Sequence, residues 1–142
     1  MKEEIYEVIL DHYKNPRNYG EMENPDIQYE GGNPYCGDEI KMQFRMKDGI
    51  IKDVKFKGKG CAISQVSASI LTEYVKGKKI EDLRNFTKKE HLQNLGIELS
   101  PIRMKCALLA YEILKIALFG EEEVIKKQKT TNFTLEKETK RE

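Results

Sequence analysis

The amino-acid sequence predicts an α+β domain, with helices packed on one face of a small three-stranded antiparallel sheet. Apolar and polar residues alternate strictly over residues 40–46, which is the period of a strand with one buried face. Helical patterns precede and follow this region, and the order helix, strands, helices favours an α+β fold. A chain of 142 residues has room for one ordinary hydrophobic core.

The predicted elements follow from the spacing of apolar residues and from the residues that stop each run. The strand over residues 40–46 turns at Asp48-Gly49, a dipeptide typical of hairpins. Thr87 and Glu90 match a capping box, and Pro101 suits a first helical turn. In chain order the elements are a helix over residues 2–13, a short strand beginning at Ile27, strands over 40–46 and 50–57, and helices over 62–76, 80–85, 87–95 and 101–119.

Apolar residues at helical spacing predict the buried faces of three helices. In the first helix they are Ile5, Ile9 and Tyr13, with Tyr6 and Leu10 beside them. In the helix over residues 62–76 they are Ile63, Val66, Ile70 and Tyr74. In the last helix they are Ile102, Cys106, Leu109, Ala110, Ile113 and Ala117.

Charge and hydropathy exclude two classes of partner. The 25 basic and 24 acidic residues leave a net charge of +1, whereas nucleic-acid-binding proteins concentrate a basic surplus. No apolar run approaches the ~18 residues of a membrane-spanning helix, and the start, Met-Lys-Glu-Glu, lacks the layout of a secretory signal. We therefore expect a cytoplasmic protein that binds neither nucleic acid nor a membrane.

The three cysteines point to metal binding or thiol chemistry, because an odd number in a reducing compartment does not suit a disulfide framework. Cys36 lies in a glycine-rich loop before the hairpin, and Cys61 opens a helix, where free amides and the helix dipole favour a thiolate. Cys106 lies on the second turn of the last helix. Each thiol therefore sits at or near the end of an element.

Three thiolates suit zinc or the iron of an iron–sulfur cluster. Such sites usually have four donors, and Asp38, two residues after Cys36, is the natural fourth. A carboxylate holds iron in a cluster less firmly than a thiolate does, so the site should be labile, which suits a protein that gives its cluster away. The alternative is that Cys61 and Cys106 are core thiols, since free cysteine is among the most buried residue types.

Four segments carry a resemblance to a known family. Residues 33–38 read Asn-Pro-Tyr-Cys-Gly-Asp, residues 58–64 read Gly-Lys-Gly-Cys-Ala-Ile-Ser, and residues 103–106 read Arg-Met-Lys-Cys. They resemble the three cysteine motifs of the U-type iron–sulfur cluster scaffolds, which include IscU, the N-terminal domain of NifU and the SufU branch. The opening, Leu-Asp-His-Tyr-Lys-Asn-Pro-Arg-Asn over residues 10–18, is similar to the opening of that family.

The resemblance implies a scaffold domain, which we place over residues 1–125. Composition predicts a mobile charged tail over residues 126–142. The tail has only Phe133 and Leu135 as large apolar residues. The implied activity is assembly of a [2Fe–2S] cluster, with zinc able to take its place. The implied partners are a cysteine desulfurase, iron and electron donors, apo-proteins that receive the cluster, and a second copy in a cluster-bound homodimer.

The same resemblance implies the residues of the site. The implied ligands are Cys36, Asp38, Cys61 and Cys106. The candidate acceptors of persulfide sulfur are Cys106, Cys36 and Cys61. Three neighbours of these ligands would support the site, namely Lys105, Gly37 and Gly60.

Two positions depart from the family pattern. Lys105 stands where many members have histidine, as in the zinc-binding SufU branch, although residues 77–100 are too short for the insertion usual in that branch. Residues 99–103, Leu-Ser-Pro-Ile-Arg, differ from the Leu-Pro-Pro-Val-Lys recognised by the dedicated chaperone of the family. A cluster scaffold, a zinc-bound sulfurtransferase partner that accepts persulfide, and a plain domain with structural zinc therefore all remain open.

His12 and His91 are the two histidines of the chain. Both lie in or near predicted helices among charged residues, so we expect a surface or capping role for each rather than metal ligation. Lys105 either holds a thiolate or persulfide charge near Cys106 or lies on a solvated helix face.

Overall fold

The computed structural model describes residues 2–33, 37–120 and 134–136, and it confirms the α+β class. Its helices are α1 (Lys2–Lys14), α2 (Ala62–Val75), α3 (Ile80–Leu83), α4 (Lys88–Leu95) and α5 (Pro101–Phe119). Its strands are β1 (Ile27–Asn33), β2 (Asp38–Lys47), β3 (Ile50–Lys59) and β4 (Thr134–Glu136). In this described part of the chain, no helix combines the length and apolar character needed to cross a membrane.

The sheet is antiparallel, with strand order β3-β2-β1-β4. Strands β1, β2 and β3 are the three that the sequence predicts, and the hairpin turns at Asp48 and Gly49, both with positive φ, as the sequence of the turn requires. Strand β4 pairs with Glu30–Gly32 of β1 and is an additional edge strand. The remainder of the predicted tail over residues 126–142 lies outside the described residues.

The core lies between the sheet and the helices α2 and α5. The alternation predicted for β2 is observed in part. Gln43, on the polar face, is buried and donates to Gln28 Oε1 at 2.8 Å, while Ile40, Met42 and Phe44 on the other face are fully buried. They belong to the same hydrophobic cluster as Leu71 of α2 and Ile113 of α5. The two helices therefore pack on the sheet face that the period-two pattern marks as buried.

The buried face of α2 differs from the predicted one. Of the predicted stripe only Val66 is fully buried, whereas Ile63 and Ile70 are half-buried and Tyr74 is exposed. The buried positions are instead mostly small or hydroxyl-bearing, and they are Ser64, Val66, Ser67, Ala68, Ser69, Leu71, Thr72 and Val75. Small side chains allow neighbouring helices to approach α2 closely, and the buried hydroxyls find hydrogen-bond partners on those neighbours.

The expected surface or capping role of the two histidines is wrong. His12 is 5% exposed and His91 is fully buried. Their charged sequence neighbours lie on other sides of the helices, because residues one or two apart do not share a helix face. Each ring contacts a serine of α2: His12 Nδ1 lies 2.7 Å from Ser69 Oγ, and His91 Nε2 lies 2.7 Å from Ser67 Oγ. Burial lowers the pKa of both histidines, that of His91 to about 4.

Helix α1 ends one residue beyond its predicted end, and the buried face predicted for it is wrong at Tyr13. Ile5 and Ile9 are half-buried, whereas Tyr6, Leu10 and Tyr13 are each at least half exposed. The last three recur at intervals of four and three residues and so form one stripe along the helix. Polar contacts connect α1 and the loop after it to α2, through His12, Arg17 and Asn18.

Candidate metal centre

Three of the four predicted ligands come together at one point of the fold. The carboxylate of Asp38 and the thiols of Cys61 and Cys106 place one ligand atom each within 4.8 Å of one another. They come from three different elements, β2, the start of α2 and α5. Cys36 lies outside the described residues, so its participation stays a prediction.

Asp38 reaches the site because it is the first residue of β2. It pairs with Asn33 in the register of β1 and β2, and the amide of Gly37 donates to the Asn33 carbonyl at 2.8 Å. Gly37 has a φ of +72°, a conformation that glycine adopts without steric cost. Asp38, the residue after Gly37, lies in the interior and is 1% exposed.

Cys61 is the N-cap residue of α2, and its side chain does not cap the amides of its own helix. Its backbone N–H donates to Asp38 Oδ1 at 3.0 Å, and its Sγ lies 3.9 Å from Asp38 Oδ2. One carboxylate oxygen of Asp38 thus anchors the start of α2, while the other faces the Cys61 thiol. This anchor and the burial of Asp38 restrict movement of its carboxylate out of the site.

Gly60 allows this approach of Asp38 to α2. Its φ is +151°, and a Cβ added there would overlap both Asp38 Oδ1 and Ser64 Oγ. Any side chain at position 60 would therefore push the carboxylate away from Cys61. This overlap gives the predicted supporting role of Gly60 a steric basis.

Cys106 enters the site from α5 and is 3% exposed. Ser100 is the N-cap residue of α5, its side chain accepts a hydrogen bond from the Arg103 amide, and Pro101 is the first residue of the helix. Successive residues of a helix point about 100° apart, so Lys105 is exposed although Cys106 beside it is buried. Ile102, which the apolar stripe predicts to be buried, is 68% exposed, because the first turn of α5 extends beyond the core.

The donor set fits a zinc ion or an iron atom of a cluster. The two thiols are soft ligands and the carboxylate is a hard one, and zinc and iron accept both kinds in proteins. Donors bound at ~2.3 Å in a tetrahedron lie about 3.8 Å apart, so ligand atoms within 4.8 Å need only a small inward adjustment. The three described donors leave a fourth position, for which Cys36 is the predicted ligand.

A buried polar group that sequence patterns did not indicate lies behind the site. Ser67 Oγ donates to the carbonyl of Ala107 at 2.5 Å, and His91 Nε2 lies 3.2 Å from the same carbonyl. Ala107 directly follows Cys106 in α5. Only weak sequence patterns could have indicated that these two residues are buried. Ser67 shares a helical face with Leu71, and His91 shares one with Leu95.

Comparison with known proteins places the fold and its residues in one family. The profile of the family described as "NifU-like N terminal domain" matches residues 4–128. The zinc-dependent sulfurtransferase SufU of Bacillus subtilis is 38% identical over 133 residues, covering 82% of this chain and 90% of that protein. The iron–sulfur cluster assembly scaffold protein IscU of Escherichia coli is 38% identical over 116 residues, covering 79% of this chain and 89% of that protein.

Solved structures agree with this assignment. A crystal structure described as a putative iron–sulfur cluster assembly scaffold for the SUF system, from Fervidobacterium islandicum, superposes with a TM-score of 0.69. It is 33% identical, and the match covers 83% of this chain and 99% of that one. The N-terminal part of a NifU-like protein from Brucella abortus, 21% identical with a TM-score of 0.65, shares the fold. The extent of the profile match and the identity to these relatives show that the chain belongs to the family of NifU-like N-terminal domains.

Proposed function

We propose that this protein is a scaffold on which a [2Fe–2S] cluster is assembled and from which it passes to apo-proteins. The observation that carries the proposal is the convergence of Asp38, Cys61 and Cys106 within 4.8 Å. A relative with 38% identity is an iron–sulfur cluster assembly scaffold. The cluster is the cargo of the site, held by Asp38, Cys61, Cys106 and, as the fourth ligand, Cys36.

The chemistry of the cargo defines the partners. A cysteine desulfurase supplies sulfur as a persulfide on one of the three cysteines. Release of sulfide from that persulfide consumes two electrons, which an electron donor must provide, and an iron donor completes the cluster. Because thiolate ligands and persulfides survive only where thiols stay reduced, we place this activity in the cytoplasm.

A zinc-bound sulfurtransferase partner is the second candidate function. It is favoured by the 38% identity to the zinc-dependent sulfurtransferase SufU and by Lys105 at the position before the last cysteine. In that function zinc would be held by the same residues and one cysteine would accept persulfide from the desulfurase. The donor set alone does not separate the two functions, since zinc and iron accept the same ligands.

Anaerobic reconstitution with ferrous iron and sulfide separates the candidates. A scaffold is expected to become coloured, with charge-transfer absorption in the visible range and equal amounts of bound iron and acid-labile sulfide. The Cys61→Ala variant should lose this absorption, while Ser69→Ala, which leaves the three ligands intact, should retain it. A wild-type protein that stays colourless, keeps its zinc and accepts sulfur from a desulfurase would instead establish the sulfurtransferase role.

A structural zinc is the third outcome. In that case removal of zinc by a chelator unfolds the chain, and the protein accepts no sulfur. The scaffold proposal predicts the opposite, namely that the metal-free protein keeps its helical circular dichroism. The hydrophobic cluster between the sheet and helices α2 and α5 includes none of the three described ligands, which supports this expectation.

A further inference from the structure

We infer that Ser67 and His91 form a clamp that sets the position of Cys106 relative to Cys61, and that both are positioning residues of the metal centre. The clamp consists of the Ser67 hydroxyl, the His91 imidazole and the Ala107 carbonyl, and so joins α2, α4 and α5. The inference rests on the proposed function in one respect, because it assumes that Cys61 and Cys106 bind the same metal.

The contacts of the clamp are short, buried and mutually consistent. Ser67 Oγ donates to the Ala107 carbonyl at 2.5 Å and lies 2.7 Å from His91 Nε2. The carbonyl lies 3.2 Å from the same Nε2. A proton on Nε2 satisfies both contacts, with Ser67 Oγ and the Ala107 carbonyl as acceptors. Ser67 and His91 are both fully buried.

Aromatic neighbours fix the orientation of the His91 ring. Tyr111 stacks on it at a centroid distance of 6.1 Å with 19° between the planes, and Phe86 meets it edge-on at 6.3 Å. His91 Nδ1 has no hydrogen-bond partner among the described residues. The ring is therefore held by packing on its faces and by the clamp at Nε2.

The Ala107 carbonyl does not need the clamp to be satisfied. It lies in the interior of α5, where a carbonyl already accepts from the amide four residues further along. A second and third polar contact at this carbonyl therefore add a connection between helices rather than fill an empty hydrogen-bonding position. The connection lies one residue from Cys106 on α5 and six residues from Cys61 on α2.

Such a connection is useful because the two ligands lie on different helices. Apolar side chains that line α2 and α5 tolerate small sliding movements, and a slide of one residue moves a helix by ~1.5 Å along its axis. Metal–ligand distances tolerate about 0.2 Å. Hydrogen bonds are directional and weaken steeply when their angles change, so the clamp restricts the slide that apolar packing permits.

The chain contains a matched control for this role. Ser69, two residues after Ser67 on the same helix, contacts His12 Nδ1 at 2.7 Å and accepts from the Arg17 amide at 2.8 Å. This second serine–histidine pair is also buried, but it connects α2 to α1, which carries no predicted ligand. Ser67→Ala and Ser69→Ala thus each remove one buried serine hydroxyl from α2. Only Ser67→Ala removes a hydrogen bond to α5.

The test is an anaerobic Co²⁺ titration of wild type, Ser67→Ala and Ser69→Ala, with thermal melts of each. We expect both variants to melt earlier than wild type, whereas only Ser67→Ala binds Co²⁺ about tenfold or more weakly, as supporting residues of metal sites do when removed. The thiolate-to-cobalt absorption at saturation should also fall for Ser67→Ala, because Cys106 is the thiolate displaced. His91→Phe, which keeps an aromatic ring, should reproduce the effect. It is the test variant if Ser67→Ala does not fold.

A second readout uses the metal-free protein. Alkylation by iodoacetamide, followed by peptide mapping, should modify Cys106 faster relative to Cys61 in Ser67→Ala and His91→Phe, and should leave that ratio unchanged in Ser69→Ala. Wild-type cobalt affinity and alkylation ratio in the clamp variants would overturn the inference, as would equal losses in both serine variants. If wild type itself binds no Co²⁺, the proposed function fails. The alkylation ratio in the metal-free protein still tests whether the clamp positions Cys106.

Discussion

Asp38 serves two purposes with its two carboxylate oxygens. Oδ1 accepts the amide of Cys61, the N-cap residue of α2, which is the contact that the carboxylate of a capping box makes. Oδ2 lies on the side of the Cys61 thiol. Asp38, which we propose as the hard ligand of the site, therefore also stabilises the start of α2, the helix that presents the soft ligand Cys61.

Substitution of Asp38 should separate these two contributions. Asp38→Asn keeps an acceptor for the Cys61 amide but loses the charge, so we expect a nearly unchanged melting temperature with weaker binding of Co²⁺ or zinc. Asp38→Ala should lose metal affinity and also about 0.5–2 kcal/mol of stability, as when a helix cap is removed. Metal affinity equal to wild type in Asp38→Asn would show that the carboxylate is structural only.

Gly60→Ala should damage the same contact from the other side. The added Cβ overlaps Asp38 Oδ1, so we expect loss of metal affinity together with a lower melting temperature. Gly77→Ala is the control, because Gly77 also has positive φ, +90°, but a Cβ there meets nothing within 4 Å. Each variant should suffer backbone strain of roughly 1–3 kcal/mol, and equal metal affinities in the two would contradict the role given to Gly60.

His91 should make the fold sensitive to acid. Its pKa is lowered by burial from 6.5 to about 4, so between these values the unfolded chain binds a proton that the folded chain does not. Stability from this group is full above pH 6.5 and decreases as the pH falls towards 4, by on the order of 3 kcal/mol. Denaturant unfolding of wild type and His91→Phe across this range measures the effect, and an equal pH dependence in both would contradict it.

Helix α2 shows which part of an element a sequence specifies. Its predicted bounds, residues 62–76, differ by one residue from the observed Ala62–Val75, because Gly77 and the apolar spacing mark its ends. Its buried face was predicted wrongly, since apolar spacing selects Ile63 and Ile70 and passes over Ser67. A buried hydroxyl needs a hydrogen-bond partner, and for Ser67 that partner is the Ala107 carbonyl of α5, which only the tertiary packing brings into reach.

Strand β4 offers a test of the contribution of the C-terminal residues. It contributes three residue pairs to the edge of β1, and the segment over residues 126–142 has only two large apolar residues. We expect truncation after Lys126 to leave the melting temperature within a few degrees of the full chain, and to remove hydrogen-exchange protection only near Glu30–Gly32. A large decrease in melting temperature would show that these residues pack on the core.

At the scale of the whole molecule, the sequence predicts the proximity of Asp38 and Cys61 better than it predicts the proximity of Cys106 to either. The hairpin turn at residues 48–49 nearly fixes the pairing of Glu39 with Lys59, and this pairing brings Asp38 beside Cys61. A register shift between Arg45 and Met46 moves that pairing by one residue and has no sequence signal. Cys106 lies 45 residues beyond Cys61 and joins the site only through the packing of α5, so motif resemblance indicated its role and spacing did not.

Direct transfer of the cluster to an apo-protein tests the central claim, that the site holds its cluster in order to give it away. The measurement is the rate at which anaerobically reconstituted protein loads an apo-ferredoxin of the [2Fe–2S] type, with and without an excess of an iron chelator. A scaffold is expected to load the acceptor at the same rate in both conditions, because the intact cluster passes between protein ligands. Complete inhibition by the chelator would contradict the account, since it would show that the cluster first breaks down to free iron.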